Sequence, residues 1–384
     1  MAVELLDKEK LLFHEAKEFA LTKIDPYADQ WENGKRTSRA AMNIFAENGY
    51  CSIGVSKELG GRGYNFLECA LIYEGLAHGD GALSSSVIQL HNNIVYLLAK
   101  YFKKNEVISE FFPAMASGHK RLAFAITEKH SGSDPSSMNS YTVLRKEGYH
   151  VYGRKAWIFN ALEADHFVVT VKNGSPDTKN MVMLLVDRNT PGFTICDNKP
   201  RIGNNCISCC DLQFDGCIIP KKRMITEKGF QEALSFINLP RIFVPSIAIG
   251  MAQRVIDITI KCLEAQKSIS KLNLSNQGVQ WTLSKLISQV DAGRWLVYRT
   301  ASKMDNLESI KIQAAMNKLF TTEVAMDTIT ACSQLFGEQG YDKLSVLSRY
   351  MSVAKLLQIV DGTSEIQKIV IGRDIERQAN ECNS

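Results

Sequence analysis

The feature that most constrains the fold of this chain is its hydrophobic period, which changes twice along the sequence. In the first third of the chain, apolar residues recur at spacings of three and four, as in Leu12, Ala16 and Phe19, which is typical of amphipathic helices. From Arg121 to about Thr226 the period becomes two and β-branched residues are frequent, which predicts strands. The helical period then returns, so the chain divides into three parts.

The middle segment, residues 121–226, predicts a small all-β domain with a barrel or sandwich architecture. Glycine and proline turn signals separate its short apolar or alternating runs, as expected for such a domain. No Gly-x-Gly-x-x-Gly sequence follows a strand and opens a helix, which argues against a Rossmann dinucleotide fold. The predicted strands cover residues 122–126, 141–144, 149–152, 166–171, 181–186, 193–195, 212–214 and 217–219.

The flanking segments, residues 1–120 and 227–384, predict helical domains. The C-terminal segment contains four long helical patterns with loops near Leu272 and Asn306, which indicates an antiparallel bundle. The expected fold class is therefore mainly α with a central all-β domain: an N-terminal helical domain, a β-domain and a C-terminal four-helix bundle. The C-terminal helical patterns cover residues 230–236, 242–266, 277–305, 310–336, 344–357 and 364–379.

Composition and charge exclude some classes of function. The 384 residues carry a net charge of +4 with acids and bases interspersed, so no basic tail or stripe predicts nucleic-acid binding. The start of the chain is charged and helical in period, which predicts neither a signal peptide nor a membrane span. We therefore expect a cytoplasmic protein.

The cysteines favour a reducing environment. They lie in apolar or strand-like contexts, which is more typical of free thiols than of a disulfide framework. One pair, Cys206 and Cys209, has the CxxC spacing of metal and redox motifs. No second CxxC pair or nearby histidine pair accompanies it, so buried cysteines are the preferred interpretation and no metal site is expected.

One stretch, residues 122–160, carries the first candidate site. It opens with an apolar strand and turns polar at Thr127 and at Gly132-Ser133-Asp134. A strand that delivers a hydroxyl and free backbone N–H groups to a loop commonly holds an anionic or heterocyclic ligand. Trp157 follows a predicted hairpin, and together with the small residues it completes a flat slot.

Two blocks of this sequence resemble one known family. The pattern of Thr127-Glu128, Gly132-Ser133-Asp134 and Gly153-Arg-Lys-Ala-Trp157-Ile-Phe-Asn160 is similar to the flavin-binding signature of the acyl-CoA dehydrogenases. The block Gln358-Ile-Val-Asp-Gly-Thr-Ser-Glu-Ile-Gln367, followed by Gly372-Arg373, resembles their C-terminal catalytic motif. The blocks stand in the family's order, and the family-like pattern runs from about residue 10 to 377.

The resemblance implies an FAD-dependent enzyme that oxidises the Cα–Cβ bond of an acyl thioester. That reaction needs a base for the α-proton, hydrogen bonds at the thioester carbonyl and a hydride acceptor against Cβ. The family's usual base position corresponds to Asp361, where most members have Glu. Some relatives place the base just before an arginine, but here Pro240 precedes Arg241, and proline cannot take a proton. The alternative interpretation is that Asp361 caps the helix from Ser364 onward.

The resemblance also implies that the β-domain contacts the cofactor. Phe124, Ile126 and Thr127 correspond to positions at the flavin ring, and Trp157 corresponds to a position at its outer edge. The family's hydroxyl residue two positions after this tryptophan is Phe159 here. A phenyl ring cannot make that hydrogen bond to the flavin.

Other matched positions lie outside the strands. Ser133 corresponds to the pyrophosphate or neighbouring substrate contacts, and Arg241 corresponds to a substrate contact. At the family's dimer interface an ungapped match places Gln266, Ile269 and Ser270 at arginine, phenylalanine and glycine positions. Losing the arginine removes a charge-assisted contact of about 1.5–3 kcal/mol. The remaining matched cofactor positions are Gln277, Gln334, Gly337, Thr363 and Glu365.

We therefore expect FAD-dependent dehydrogenation of a short acyl thioester whose carrier is CoA or an acyl carrier protein. Glu338 stands where the family has a second glycine after Gly337. Departures at Phe159, Gln266, Glu338 and Asp361 favour a biosynthetic enzyme over a fatty-acid degrader. The expected partners are the thioester, an electron acceptor and a second copy of the chain in a homodimer or homotetramer, because the resemblance implies that FAD bridges subunits. Two alternatives stay open: a flavin oxidase or monooxygenase of the same fold, and a helical scaffold that has lost FAD.

Overall fold

The computed structural model describes residues 5–265 and 272–382, and its N-terminal part is helical as the period predicts. The first helix continues as a π-helical turn, Ala20–Ile24, and then as a short 3-10 turn that contains Pro26. The regular α-helix therefore ends at Phe19, and Pro26 stands at the start of the 3-10 turn, where its missing N–H is tolerated. The helices are α1 (Asp7–Phe19), α2 (Ala28–Glu32), α3 (Ser38–Glu47), α4 (Phe66–Leu76), α5 (Leu90–Ala99) and α6 (Glu106–Ala116).

An eight-stranded sheet follows. Its strands are β1 (Leu122–Ala125), β2 (Tyr141–Leu144), β3 (Tyr149–Phe159), β4 (His166–Asn173), β5 (Met181–Asp187), β6 (Phe193–Asn198), β7 (Cys209–Ile219) and β8 (Met224–Thr226). The spatial order is β6-β7-β3-β2-β4-β5-β8, and β1 pairs with β4. The predicted hairpin is confirmed, because β2 and β3 pair antiparallel with Tyr141 opposite Tyr152.

Helices return at Gly229 and form the predicted bundle. They are α7 (Gly229–Asn238), α8 (Pro240–Ala265), α9 (Gln277–Asp305), α10 (Lys311–Phe336), α11 (Glu338–Tyr341), α12 (Val346–Ile359) and α13 (Ser364–Cys382). Helix α10 packs against α8, α9, α12 and α13. It is therefore the central element of the bundle.

Two apolar clusters join the three parts of the chain. The larger cluster packs α1, α3 and α4 of the N-terminal part against the bundle, with Phe19, Leu71 and Ile247 among its buried residues. The second cluster packs α5 and α6 against β1 and α7, and it includes Leu122 and Phe236. The end of β1 therefore lies beside helices from both flanking parts.

One helical stretch among the described residues, 229–265, is long and apolar enough to cross a membrane. However, 72% of its apolar window is buried inside the protein. This burial is typical of a core helix, so the stretch is interpreted as part of the bundle.

The expected fold class is confirmed, since helical domains flank a central sheet. The domain boundaries at residues 120 and 226 stay a prediction. Among the features that were not predicted are the π-helical segment Leu83–Gln89 and the parallel pairing of β1 with β4. The strand pairing joins segments about forty residues apart, which a local hydrophobic period does not report.

Candidate active site

Strand β1 ends where the first candidate site begins. The Phe124 ring stacks on the Phe236 ring of α7, with 3.9 Å between the ring centroids and 20° between the planes. Ile126 is buried, whereas Thr127 is partly exposed. The Thr127 carbonyl accepts a hydrogen bond from the Ala156 amide at 2.8 Å. The three predicted flavin contacts therefore lie together at the end of one strand, tied to β3.

A buried ion pair anchors the loop that follows β1. The Lys155 ammonium lies 2.9 Å from the Glu128 carboxylate and donates to the Ile126 carbonyl at 3.0 Å. The carboxylate also accepts the backbone amides of Asn139 and Ser140. Burial opposes ionisation of Glu128, but the ion pair and these hydrogen bonds together lower its pKa. Sequence reasoning missed this pair, although a lysine at an inward position of a strand was a signal for it.

The loop after Glu128 is open to solvent. Ser133 is exposed, and a Cβ built on Gly132 has no atom within 4 Å. The hydroxyl of Ser131 donates to the Asp134 carbonyl at 2.7 Å, so a hydrogen bond spans the loop. This arrangement leaves the Ser133 hydroxyl accessible to a ligand.

Trp157 has an unusual backbone conformation. Its φ is +59°, in the left-handed region that large residues rarely adopt, and the β3–β7 register shifts between Lys155 and Ile158. The indole is 51% exposed. The Asp211 carboxylate accepts a hydrogen bond from the Trp157 amide at 3.1 Å. It also pairs with Lys199 at 2.8 Å, and the Lys199 ammonium lies 4.8 Å from the centroid of the indole ring. The bulge therefore turns a large aromatic surface outward.

Phe159 points in a different direction from Trp157. It is partly buried and packs against the large helical cluster. Its neighbour Asn160 donates to the Ser86 carbonyl in the π-helical segment. This part of β3 therefore joins the sheet to the N-terminal helices, and contact of Phe159 with a cofactor stays a prediction.

The second candidate site is the turn between α12 and α13. Asp361 and Gly362 have φ values of +56° and +91°, a conformation that costs a non-glycine residue about 1–3 kcal/mol. The buried side chains of Lys318 and Gln367 each donate to the Gly362 carbonyl at 2.8 Å. Arg241 Nε donates to the Asp361 carbonyl at 3.3 Å. Donors from three helices, α10, α13 and α8, therefore hold this turn.

The surroundings of Asp361 favour a carboxylate that accepts a proton near neutral pH. Burial raises the pKa of Asp361 to about 6, although the cations Lys318 and Arg241 act in the opposite direction. Burial lowers the pKa of Lys318 to about 8. A base whose pKa lies near the working pH is well matched to proton transfer.

The alternative role of Asp361 as a helix cap is not what the structure shows. Helix α13 begins at Ser364, and the Thr363 hydroxyl accepts the Ile366 amide at 3.3 Å, so Thr363 is the N-cap. Glu365 is exposed in the first turn. Both matched residues lie next to the Asp361 turn, and their contact with FAD stays a prediction.

The other predicted cofactor positions lie on the surface of the bundle. Gln277 begins α9, Gln334 lies in the last turn of α10 and Gly337 follows that helix; all three are exposed. Their exposure leaves them accessible to a second chain, and their contact with FAD across an interface stays a prediction. The mismatched positions Gln266, Ile269 and Ser270 lie outside the described residues.

A short helical segment, residues 236–241, touches both candidate sites. Phe236 stacks on Phe124 at the end of β1, and Arg241 holds the Asp361 turn. Arg241 Nη1 also donates to Asn238 in the same segment, at 3.1 Å. Five residue steps in a helix rise about 8 Å, so the contacts of this segment with the two candidate sites are separated by less than two helical turns.

Sequence reasoning missed Lys318, whose charge lowers the pKa of Asp361 more than that of Arg241 does. A signal was present, because Lys318 shares a stripe of α10 with Ala314, Ala315 and Thr322, all of which are buried. A lysine at such spacing is a candidate for a buried charge with a specific partner. Its partner is the Asp361 turn, which lies between α12 and α13. The pattern of buried residues along α10 does not predict that contact.

Comparison with known proteins assigns the family. Models of three acyl-CoA dehydrogenase domains match the chain: the N-terminal domain over residues 7–119, the middle domain over 123–217 and the C-terminal domain over 227–376. The chain belongs to the acyl-CoA dehydrogenase family. It is accordingly a flavin oxidoreductase whose cofactor is FAD, which removes the scaffold alternative.

Individual members of the family are similar along nearly the whole chain. The short-chain specific acyl-CoA dehydrogenase of Clostridium acetobutylicum is 28% identical over 380 residues, which cover 98% of this chain and 100% of that protein. The structure of an acyl-CoA dehydrogenase from Geobacillus kaustophilus has a TM-score of 0.89 at 26% identity, covering 98% of this chain and 100% of the other. The prolyl acyl carrier protein oxidase AnaB has a TM-score of 0.90 at 19% identity, covering 97% and 100%. This last likeness shows the fold alone.

The two cysteines of the CxxC pair are withdrawn from solvent. Cys206 and Cys209 are both buried, and burial raises the pKa of each thiol, to about 11 for Cys209. Within residues 5–265 and 272–382 no group of three or more potential metal ligands occurs. A buried thiol with a raised pKa is chemically inert.

Proposed function

We propose that this flavin oxidoreductase removes two hydrogens from Cα and Cβ of a short acyl thioester, with Asp361 as the base. The observation that carries the proposal is the turn at Asp361. It combines a partly exposed residue, a carboxyl whose pKa burial raises to about 6, and a strained backbone held by three side-chain donors. Strain of this kind persists only where the surrounding structure enforces it, and it clusters at active sites.

The residues around the turn divide the proton chemistry between them. The Asp361 carboxylate accepts the α-proton, and the electron pair left at Cα becomes the Cα–Cβ double bond. The backbone amides of Asp361 and Gly362 donate to no acceptor in the described part of the chain, so they are available to the thioester oxygen as negative charge develops there. FAD, when bound, supplies the acceptor for the hydride that leaves Cβ.

The end of β1 and the bulge of β3 fit this cofactor. Trp157 presents an exposed aromatic face, Ser133 an exposed hydroxyl in an open loop, and Thr127 a partly exposed hydroxyl. A flat apolar heterocycle with a phosphate arm requires such a combination of aromatic surface and polar groups. We therefore assign Phe124, Ile126, Thr127, Ser133 and Trp157 to the FAD site.

The carrier of the acyl group is CoA or an acyl carrier protein, since both present the same pantetheine arm. A basic cluster of exposed lysines lies where α7 begins: Lys103, Lys104, Lys221, Lys222 and Lys228, beside Lys100, which pairs with Glu232 of α7 at 3.3 Å. Asn105 links the lysines after α5 to those before β8, because its side chain donates to the carbonyls of Lys222 and Met224 at 3.1 and 2.8 Å. Helix α7 leads from this cluster to the segment that contacts Asp361. An acidic carrier protein is complementary to this surface.

Anaerobic reduction of the FAD-loaded enzyme tests the proposed function. A panel of acyl-CoA and acyl-carrier-protein thioesters is mixed with the enzyme, and at least one short acyl thioester is expected to bleach the flavin absorbance. If none does, the proposal fails. Rapid reoxidation by oxygen with release of hydrogen peroxide would instead identify the flavin oxidase that the sequence left open.

Charge reversal of the basic cluster tests the carrier. Lys103→Glu combined with Lys222→Glu is expected to raise KM for a carrier-bound thioester several-fold at low salt, because it weakens an electrostatic encounter. KM for the free pantetheine thioester should not change. Lys57→Glu, an exposed lysine away from α7, is the matched control. Equal effects on both substrates would argue against carrier docking at this surface.

We further propose that the enzyme is a cytoplasmic homodimer or homotetramer reoxidised by an external electron acceptor. The exposed positions Gln277, Gln334 and Gly337 support this assembly, because they match family positions that contact FAD across an interface. Sedimentation of the FAD-loaded enzyme tests it. A monomer with full FAD content would contradict it.

A further inference from the structure

A cavity lies between α4, α5 and the first turn of α8. Its volume is about 140 Å³, close to that of an engineered cavity of about 150 Å³ that binds benzene, so it accommodates about six heavy atoms. Leu239, just before α8, and Phe243 of α8 line it. Arg241, between them in sequence, holds the Asp361 turn. The cavity and the proposed base therefore adjoin the same helical turn.

The lining of this cavity is mostly apolar, with five polar side chains and no charged one among its residues. Tyrosine and asparagine side chains contribute from α4, α5 and the preceding loop, and no Asp, Glu, Lys, Arg or His lies among the lining residues. An ionised group would lose its hydration here without gaining an opposite charge. The polar lining residues are Tyr64, Tyr73, Asn92, Asn93 and Tyr96.

Two hydrogen-bond donors in the lining are not used by the described protein. Asn93 is 2% exposed, and its Nδ2 has no partner. Asn92, in contrast, accepts the Ser52 amide and donates to the Tyr50 carbonyl and to the Tyr73 hydroxyl. The Tyr73 hydroxyl thus accepts a bond, while its own proton has no acceptor in the described part of the chain. An unpaired buried donor costs about 1–3 kcal/mol, a cost that a ligand acceptor offsets.

The helix that carries both asparagines is irregular just before the cavity. Leu83–Gln89 is π-helical and all of its residues are buried. π-Helical segments are rare and are frequent at functional sites. The Ser86 carbonyl in this segment accepts a hydrogen bond from Asn160 of the β3 end. The segment therefore leads from the sheet toward the cavity.

We propose that this cavity binds the distal end of the acyl group and selects an uncharged group with a hydrogen-bond acceptor, such as a ketone, ether or hydroxyl oxygen. This inference rests on the proposed function, because it takes an acyl thioester as the ligand. Asn93 and Tyr73 donate to the acceptor oxygen. An alkyl chain of the same shape leaves both donors unpaired and binds more weakly.

Binding of two isosteric thioesters tests this selection. The FAD-loaded Asp361→Asn variant is titrated calorimetrically with the pantetheine thioesters of 4-oxopentanoate and 4-methylpentanoate, which have the same number of heavy atoms. Binding is then measured without turnover. We expect the ketone to bind about tenfold more tightly, as one or two hydrogen bonds allow. Equal or weaker binding of the ketone overturns the inference and leaves the proposed function standing, whereas no binding of either thioester contradicts both.

A second variant separates ligand recognition from a structural role. Asn93→Leu is expected to abolish most of the preference for the ketone while raising the melting temperature of the ligand-free enzyme, because an unpaired buried amide is removed. Gln89→Leu is the matched control: Gln89 is 3% exposed with an unpartnered Nε2, but it does not line the cavity. It should raise the melting temperature without changing the preference. A lower melting temperature and an unchanged preference in Asn93→Leu would overturn the inference.

Discussion

The turn at Asp361 and the bulge at Trp157 hold two non-glycine residues at almost the same positive φ, +56° and +59°. Three side-chain donors hold the Asp361 turn, and Asp361 is only partly exposed. At Trp157 a single carboxylate accepts the backbone amide, and half of the indole is exposed. A reacting group requires an accurate position, whereas a stacking surface mainly requires area. The backbone is therefore held by more hydrogen bonds at the proposed base than at Trp157.

The largest expected effect is at the carboxylate itself. Asp361→Asn should slow anaerobic flavin reduction by about 10²–10⁴-fold, because a general base is lost, while FAD content is unchanged. Stopped-flow absorbance measures the rate. Asp361→Glu, which restores the residue most common in the family, is the control and should retain much of the rate. Undiminished reduction in Asp361→Asn would place the base elsewhere.

The second largest effect is expected at Lys318, which supports the Asp361 turn. Lys318→Met removes the charged donor to the Gly362 carbonyl and should lower the reduction rate about tenfold with little change in KM. In the wild-type enzyme the rate should rise with pH through about 6, the pKa of Asp361. Because the Lys318 cation lowers this pKa, its loss should move the pH–rate profile to higher pH. Lys368→Met, on the exposed surface of α13, is the control, and an unshifted profile would contradict a positioning role for Lys318.

Substitution of Trp157 in the β3 bulge should have a smaller effect, on FAD affinity. Trp157→Ala should weaken FAD binding by about 2–12-fold, the range that corresponds to one aromatic stacking contact. Trp157→Phe should retain most of the affinity. Fluorescence titration of the FAD-free enzyme measures both. Unchanged affinity in the alanine variant would show that the exposed indole is not a cofactor surface.

The smallest effect concerns stability and pH. The folded-state pKa of Asp361, about 6, is above its ordinary value of 3.8, so folding favours the protonated form. The resulting stabilisation is fully present below pH 3.8 and is lost as the pH rises through 6. Asp361→Asn mimics the protonated form, so its melting temperature should exceed that of the wild type by about 1–2 °C at pH 7 but not at pH 4. Trp157→Ala should show no such pH dependence.

Much of the fold and part of the site were predictable from local pattern. The change of period between helices and strands is confirmed by the structure, and the motif around Asp361 lies in a held, strained turn beside Arg241. In contrast, Lys318 and the Glu128–Lys155 pair were missed. Both involve a lysine on an otherwise inward-facing surface, and its partner is 27 residues away in one case and 44 in the other. Such partners become neighbours only when separate elements pack.

The amino-acid sequence by itself determined the order of helices and strands and the chemical types at the site, a carboxylate in one motif and an aromatic ring in the other, because these are properties of neighbouring residues. The tertiary structure alone decided that the carboxylate is desolvated enough to raise its pKa, that a buried lysine supports its turn, and that two donors line a cavity without partners. Desolvation and pairing depend on what other elements bring within a few ångströms, and the linear sequence does not state those distances.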